Sequence, residues 1–224
     1  MTVPGIASNI ILLRKQIPAS VRLVAVSKTQ SVNEILEAYN TGHRIFGENR
    51  VQELLAKKDL LPADIEWHYI GHLQSNKVKY IVPFIRMIQS VDTFRLLRII
   101  NNEASKANRM IDCLLQFHIA GEETKYGFSM DEIEQMMGSE EFQQLSQIRI
   151  CGVMGMATYT DNTEQIRSEF RRLFSYFTGL KKKYYSDSQS FKEISMGMSG
   201  DFRIAVEEGS TILRIGSIIF GERK

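Results

Sequence analysis

Two polar side chains stand at the ends of runs that otherwise read as buried strands. Lys28 closes the run Val21 to Thr29, and Arg214 sits inside the run Ile212 to Gly221 with Gly216-Ser217 behind it. A lysine at the mouth of an apolar interior is partly desolvated, which lowers its pKa and frees the neutral amine to form a Schiff base with an aldehyde. The plainer reading is a lysine that snorkels to the rim. A buried guanidinium is costly unless paired, so Arg214 needs a ligand atom or a structural ion pair with Glu48 or Asp92. Ser199-Gly200-Asp201 places a hydroxyl and a glycine just before a short helix that ends near Gly209. Such a start offers free N–H groups to a phosphate, and glycine allows close approach, although Ser199 or Asp201 can equally serve as a simple cap. Amine, cation and small hydrogen-bonding corners together describe a site for a small anionic ligand with an electrophilic carbon.

Side chains alternate along a strand, so Lys28 shares a side with Val24 and Val26, and Arg214 with Ile212 and Gly216. Asn49 and His72, at the ends of two further runs, can line a pocket mouth. His68 and His72 share a side too, but lie about 13 Å apart along an extended chain, too far for one zinc ion. His118 reads as a hydrogen-bonded core residue rather than a base.

The elements that must position these groups follow a repeat of strand then helix. The strands run over Val21–Lys28, Arg44–Asn49, Ile65–His72, Met87–Val91, Ile111–Ile119, Ile148–Met156, Glu193–Met198 and Leu213–Ile219. Between them, Ser31 with Glu34 and Ser129 with Glu132 match capping boxes. Gly42 stops the first of these helices, and Ile166, Phe170, Leu173, Phe177 and Leu180 form a stripe meant for a sheet surface. A further helix, started by Thr2 and Pro4, carries Ile6, Ile10, Leu13 and Ile17. No helix is expected after strand eight, so this N-terminal helix should fill that gap in the outer ring. Eight such steps fit a single (β/α)8 TIM-type barrel domain over residues 1–224; the alternative is an open doubly wound sheet. In a barrel, functional groups gather at the C-terminal ends of the strands, and phosphate at the loops after strands seven and eight. Ser199-Gly200 and Gly216-Ser217 occupy those two places.

The composition, 43% hydrophobic and 24% charged over 224 residues, is that of a soluble globular protein. A net charge of +2 argues against nucleic acid or a membrane surface as the main partner. Lys181-Lys182-Lys183 reads as a solvated helix end. With no signal peptide and no apolar run near the ~20 residues that span a bilayer, the expected location is cytoplasmic. Cys113 and Cys151 read as buried small hydrophobes without chemistry.

The ordered segments Val24-Ala25-Val26-Ser27-Lys28-Thr29, Phe46-Gly47-Glu48-Asn49, His68-Tyr69-Ile70-Gly71-His72-Leu73-Gln74-Ser75-Asn76-Lys77, Ser195-Met196-Gly197-Met198-Ser199-Gly200-Asp201 and Arg214-Ile215-Gly216-Ser217-Ile218-Ile219-Phe220-Gly221 go further. Together they resemble the pyridoxal phosphate homeostasis protein family, the YggS/PROSC type, over nearly the whole chain. The resemblance implies a fold similar to the N-terminal barrel of alanine racemase, with pyridoxal 5'-phosphate (PLP) held as a covalent aldimine on Lys28. It implies that Ser199, Gly200, Gly216 and Ser217 hold the phosphate, that Arg214 faces the pyridine nitrogen, and that Asn49, His72 and Ser90 lie nearby. The segment Gln116-Phe117-His118-Ile119-Ala120-Gly121-Glu122-Glu123 departs from the commoner family wording, which has asparagine at the place of His118.

A cation facing the ring nitrogen disfavours its protonation and weakens the ring as an electron sink. A racemase can use such a ring, given a second acid or base opposite the lysine. Alanine racemase takes that tyrosine from a second domain, for which this sequence leaves no room, and Tyr126 and Tyr159 read as shields at the pocket rim. The expectation is therefore a non-catalytic PLP carrier, a monomer or weak dimer, with PLP-dependent apo-enzymes as recipients. Its rivals are an amino-acid racemase acting through Lys28 and a phosphosugar barrel enzyme using Lys28 as an aldolase-type amine.

Overall fold

In a computed structural model, which describes residues 5–121 and 126–221, the eight apolar runs become eight parallel strands. They are β1 (Arg22–Val26), β2 (Ile45–Glu48), β3 (Glu66–Tyr69), β4 (Met87–Val91), β5 (Ile111–Gln116), β6 (Ile148–Met154), β7 (Glu193–Ser195) and β8 (Ile212–Ile215). Each pairs with the next, and β8 pairs with β1 through Arg22–Ile212 to Ala25–Ile215, which closes the barrel and excludes the open sheet. Apart from β4, the strands are shorter than the apolar runs that encode them. The polar groups that follow them consequently lie in mouth loops.

The alternation sorts the side chains into two cores. Val24, Met87, Leu114, Cys151, Met154 and Ile212 fill the barrel interior, while Leu23, Ala25, Ile88, Leu115 and Val153 face the helices. Cys151 and Met154 both point inward although three residues apart, because the β5–β6 register slips between Cys113 and Leu114. Gly152 makes this slip feasible: its φ is +150°, and a Cβ there would lie 1.8 Å from the carbonyl oxygen of Glu193. Cys113 faces the helices and Cys151 the interior, and both thiols are free. Burial pushes the Cys151 thiol up to about 12.

The outer ring comprises α2 (Val32–Tyr39), α3 (Val51–Lys58), α4 (Val78–Ile81), α5 (Phe94–Lys106), α6 (Met130–Met137), α7 (Glu140–Gln143), α8 (Thr163–Tyr184) and α9 (Phe202–Glu207). They follow α1 (Ile6–Arg14) and precede α10 (Ser217–Phe220). Both expected capping boxes form, at Ser31 with Glu34 and Ser129 with Glu132. On α8, Ile166, Phe170, Leu173 and Leu180 are buried, and Phe177 stacks on Phe191 at 5.1 Å. Burying a side chain of this kind contributes about 1.5–3 kcal/mol.

Gly5 is the N-cap of α1, whose residues Ile10 and Leu13 are buried, and Ile17 is buried just beyond its end; Thr2 and Pro4 lie outside the described residues. It packs beside the end of the barrel, where Asn9 Nδ2 donates to Ile219 O at 3.0 Å. One expectation is corrected, because a helical turn does follow β8. The strand stops at Ile215, Gly216 (φ −116°, ψ −72°) leaves the extended region, and Ser217–Phe220 coil back with Ile219 buried. Among the described residues no helix is long and apolar enough to cross a membrane, and no group of three or more histidine, cysteine or acidic side chains is arranged to hold a metal ion.

Candidate functional site

The C-terminal mouth of the barrel opens into a cavity of about 900 Å³, within the size range of cofactor sites. Lys28 lines it from the loop two residues past β1, half-buried and on the same side as Val26. The loop carrying Lys28 is held from below. Lys57 Nζ donates to Ser27 O at 2.9 Å, to Glu48 Oε1 at 3.0 Å and to Glu53 Oε1 at 2.6 Å, and Ser27 Oγ donates to Glu48 Oε1 at 2.7 Å. The amide of Thr29 donates to Glu53 Oε1. Thr29 takes a left-handed φ of +67°, unusual for a β-branched residue, and this clamp holds it there. Burial holds the Glu48 carboxyl above the usual range, with Lys57 pulling it back down.

Arg214 enters the cavity from β8. It is buried, and its partners are neutral: Nη1 donates to Ser195 Oγ at 2.6 Å and Nη2 to Gly155 O at 2.9 Å. The expected alternative of an ion pair with Glu48 or Asp92 is thereby corrected, since Glu48 serves Lys57 and Asp92 serves His72. Burial lowers the guanidinium to about 10, with the charge of Asp201 opposing the shift.

On the loops after β7 and β8, Ser199, Gly200, Gly216 and Ser217 all line the mouth. The amide of Ile218 lies 3.4 Å from Ser199 Oγ, which joins the two loops. The simple-cap reading of this loop fails: α9 has no side-chain cap, and Asp201 Oδ1 instead accepts from the Met198 amide at 2.5 Å. Burial raises the Asp201 carboxyl.

Asn49 and His72 line the opposite wall. Gly71 lets their loops meet, because a Cβ there would stand 2.4 Å from Asn49 O. His72 Nδ1 lies 2.8 Å from Asp92 Oδ2, and its ring stacks on Tyr126 with centroids 3.8 Å apart. Tyr126 and Tyr159 both line the mouth, and Tyr159 is 99% exposed. Ser90 lies behind the wall, next to the cavity-lining Gly71. It is buried on β4, and its hydroxyl donates to Gly71 O instead of lining the cavity. His118 is half-buried beside the bridge from Phe117 to Phe128 and is likewise absent from the cavity wall; Glu122 and Glu123 lie outside the described residues.

Apart from Tyr159, one stretch of the wall carried no signal in the sequence. Met156 to Asp161, between β6 and α8, line the cavity, anchored by the buried Glu169, whose oxygens accept from the Thr158 amide at 2.6 Å and hydroxyl at 2.7 Å. Of the two polar residues buried beneath Arg214, Gln89 had one legible cue, its place within the largely apolar β4; Ser195 had none, since β7 reads Glu-Ile-Ser.

The model of the alanine racemase N-terminal domain family matches residues 3–224. The pyridoxal phosphate homeostasis protein of Aquifex aeolicus is 40% identical over 91% of this chain and 87% of its own length. That of Homo sapiens is 37% identical over 90% of this chain and 76% of its own. The solved structure of PipY from Synechococcus elongatus PCC7942 without PLP has a TM-score of 0.90 at 35% identity, and that with PLP bound 0.87 at 34%; each pairing covers 97% of this chain and 100% of that one. Alanine racemase from Bartonella henselae, with a TM-score of 0.69 at 13% identity over 97% of this chain and 60% of its own, shares the fold alone. Barrel, ordered motifs and relatives converge, and the chain belongs to the pyridoxal phosphate homeostasis protein family, built on the barrel of the alanine racemase N-terminal domain.

Proposed function

We propose that this protein binds PLP reversibly through Lys28 and stores or delivers it, without catalytic turnover, in the cytoplasm. The observation that carries the reading is the convergence of Lys28, Arg214 and the two glycine-serine corners on one cavity. The donor set fits the group. An amine suits its aldehyde, four small residues on adjoining loops suit its phosphate, and a guanidinium held by neutral acceptors suits its ring nitrogen. When bound, PLP supplies an electrophilic aldehyde and a conjugated ring.

In this reading the residues divide the work. Lys28 Nζ attacks the aldehyde carbon, a C=N bond forms as one water leaves, and water reverses the step, which gives an exchangeable covalent hold. Ser199, Gly200, Gly216 and Ser217 bind the phosphate. Arg214 faces the ring nitrogen and disfavours its protonation. Asn49 and His72 flank the ring, and Ser90 acts at one remove by fixing Gly71. The recipients in this reading are PLP-dependent apo-enzymes, served by a monomer or weak dimer.

One observation favours the second reading, a racemase-like enzyme using the same lysine: the His72–Asp92 pair places a histidine backed by a carboxylate at the cavity wall. Exchange of α-hydrogen for solvent deuterium discriminates the two. The carrier reading expects no more than one exchange per site across a panel of amino acids, together with activation of an apo-enzyme by the loaded protein. Sustained exchange would establish the enzyme instead.

A further inference from the structure

Beneath the cavity floor, Arg214 ends a row of buried polar side chains that the proposed roles leave unused. Nη1 of Arg214 donates to Ser195 Oγ at 2.6 Å, Ser195 Oγ donates to Gln89 Oε1 at 2.6 Å, and Gln89 Nε2 meets His68 Nδ1 at 2.8 Å. Arg214 is 4% exposed and the other three are 0% exposed, so water does not compete for these bonds.

The chemistry of the donors gives the row one direction. A guanidinium only donates, so Ser195 Oγ must accept from Arg214. The serine has a single hydrogen, which goes to Gln89 Oε1 and thereby fixes the amide orientation. The amide nitrogen is left to donate, so His68 Nδ1 accepts and the ring proton sits on Nε2. That atom has no partner among the described residues. Burial and the charges of Arg22 and Arg86 hold the imidazole at about 3, so it stays neutral.

The absence of a carboxylate from this row matters. An acid hydrogen-bonded to Arg214 would hold the guanidinium equally well but would offset its charge at contact distance, whereas a serine and a backbone carbonyl hold it without doing so, and Asp201 acts on it only through its charge. We propose that Ser195 and Gln89, with neutral His68 as the terminus, are positioning residues that aim the Arg214 cation at the ring nitrogen of the ligand. The inference rests on the PLP reading above.

The test uses ring-¹⁵N-labelled PLP bound to the full-length protein. The variants are Ser195→Ala, Gln89→Leu and Ser195→Thr, and each sample is reduced with borohydride afterwards to map the adduct. In the unmodified protein the nitrogen resonance stays at the position of unprotonated pyridine. In Ser195→Ala and Gln89→Leu it moves toward pyridinium and affinity falls about tenfold, as expected for loss of one charge-assisted hydrogen bond, while the adduct stays on Lys28. Ser195→Thr keeps the hydroxyl and restores the original signal. An unchanged resonance in Ser195→Ala and Gln89→Leu, with the adduct on Lys28, overturns the positioning role and spares the PLP reading. Absence of any Lys28 adduct in the unmodified protein overturns both.

Discussion

Replacing Lys57 by methionine isolates the clamp under the Lys28 loop. Glu48 is fully buried, its Oε1 takes bonds from Lys57 and Ser27, and its Oε2 has no hydrogen-bond partner among the described residues. The side chains of Lys57 and Glu48 are 10% and 0% exposed, so solvent screens the pair little. Removing one partner of such a pair costs about 3–5 kcal/mol, because the other charge is left stranded. For a chain of this length, at roughly 2–4 °C per kcal/mol, the melting temperature should fall by about 6–20 °C. The loss should also depend on pH. Burial already holds the Glu48 carboxyl above its ordinary value, and without Lys57 it rises further. The folded variant then retains a proton that the unfolded chain releases. Its stability is therefore best preserved below the unfolded carboxylate pKa and is lost as pH rises through the folded one. Denaturant melts of both proteins at pH 5 and pH 8 measure this, with a larger deficit expected at pH 8. Adding Glu48→Gln to the variant should recover part of the loss. A deficit at pH 8 below about 1 kcal/mol, or one equal at the two pH values, would refute the reasoning.

Other perturbations have equally definite outcomes. Gly71→Ala brings a Cβ to 2.4 Å from backbone oxygen, so stability should fall by about 1–3 kcal/mol and PLP affinity with it; a calorimetric scan and a PLP titration check both. Gly152→Ala combines a φ of +150° with a Cβ 1.8 Å from Glu193 O, and should leave little folded soluble protein by circular dichroism and gel filtration. His43, which burial lowers to about 4, contributes stability above pH 6.5 that disappears as pH falls toward 4, at about 1.4 kcal/mol per unit. His43→Asn should flatten that limb of the stability profile, and an unchanged acid slope would contradict the assignment.

The barrel was legible because its strands carry their period plainly. Alternation alone sets Val24 opposite Leu23 and Ile212 opposite Leu213, and the structure shows that Val24 and Ile212 are the interior members. The chemistry-bearing residues were legible for a related reason, since Lys28, Arg214, Ser199 and Ser217 interrupt apolar runs just where a barrel places its mouth. What escaped was whatever depends on register or on partners distant in sequence. The slip at Cys151 has no local cue beyond Gly152, and the neutral tether of Arg214 joins β8, β7 and β4 across separations that no window reads. Ser90 shows the same limit in reverse: placed near the ligand by resemblance, its hydroxyl is turned to Gly71 by the local geometry of β4. Apart from Tyr159, the loop Met156–Asp161 was missed because its anchor is Glu169, a residue of α8 that lies 11 positions from Thr158.

The central claim is tested most directly by the visible spectrum of the PLP-loaded protein before and after borohydride, followed by peptide mass analysis. The account predicts a yellow protein that bleaches on reduction and carries one pyridoxyl group, on Lys28. A protein that gains no colour with added PLP, or whose reduced adduct sits on another lysine, would contradict it.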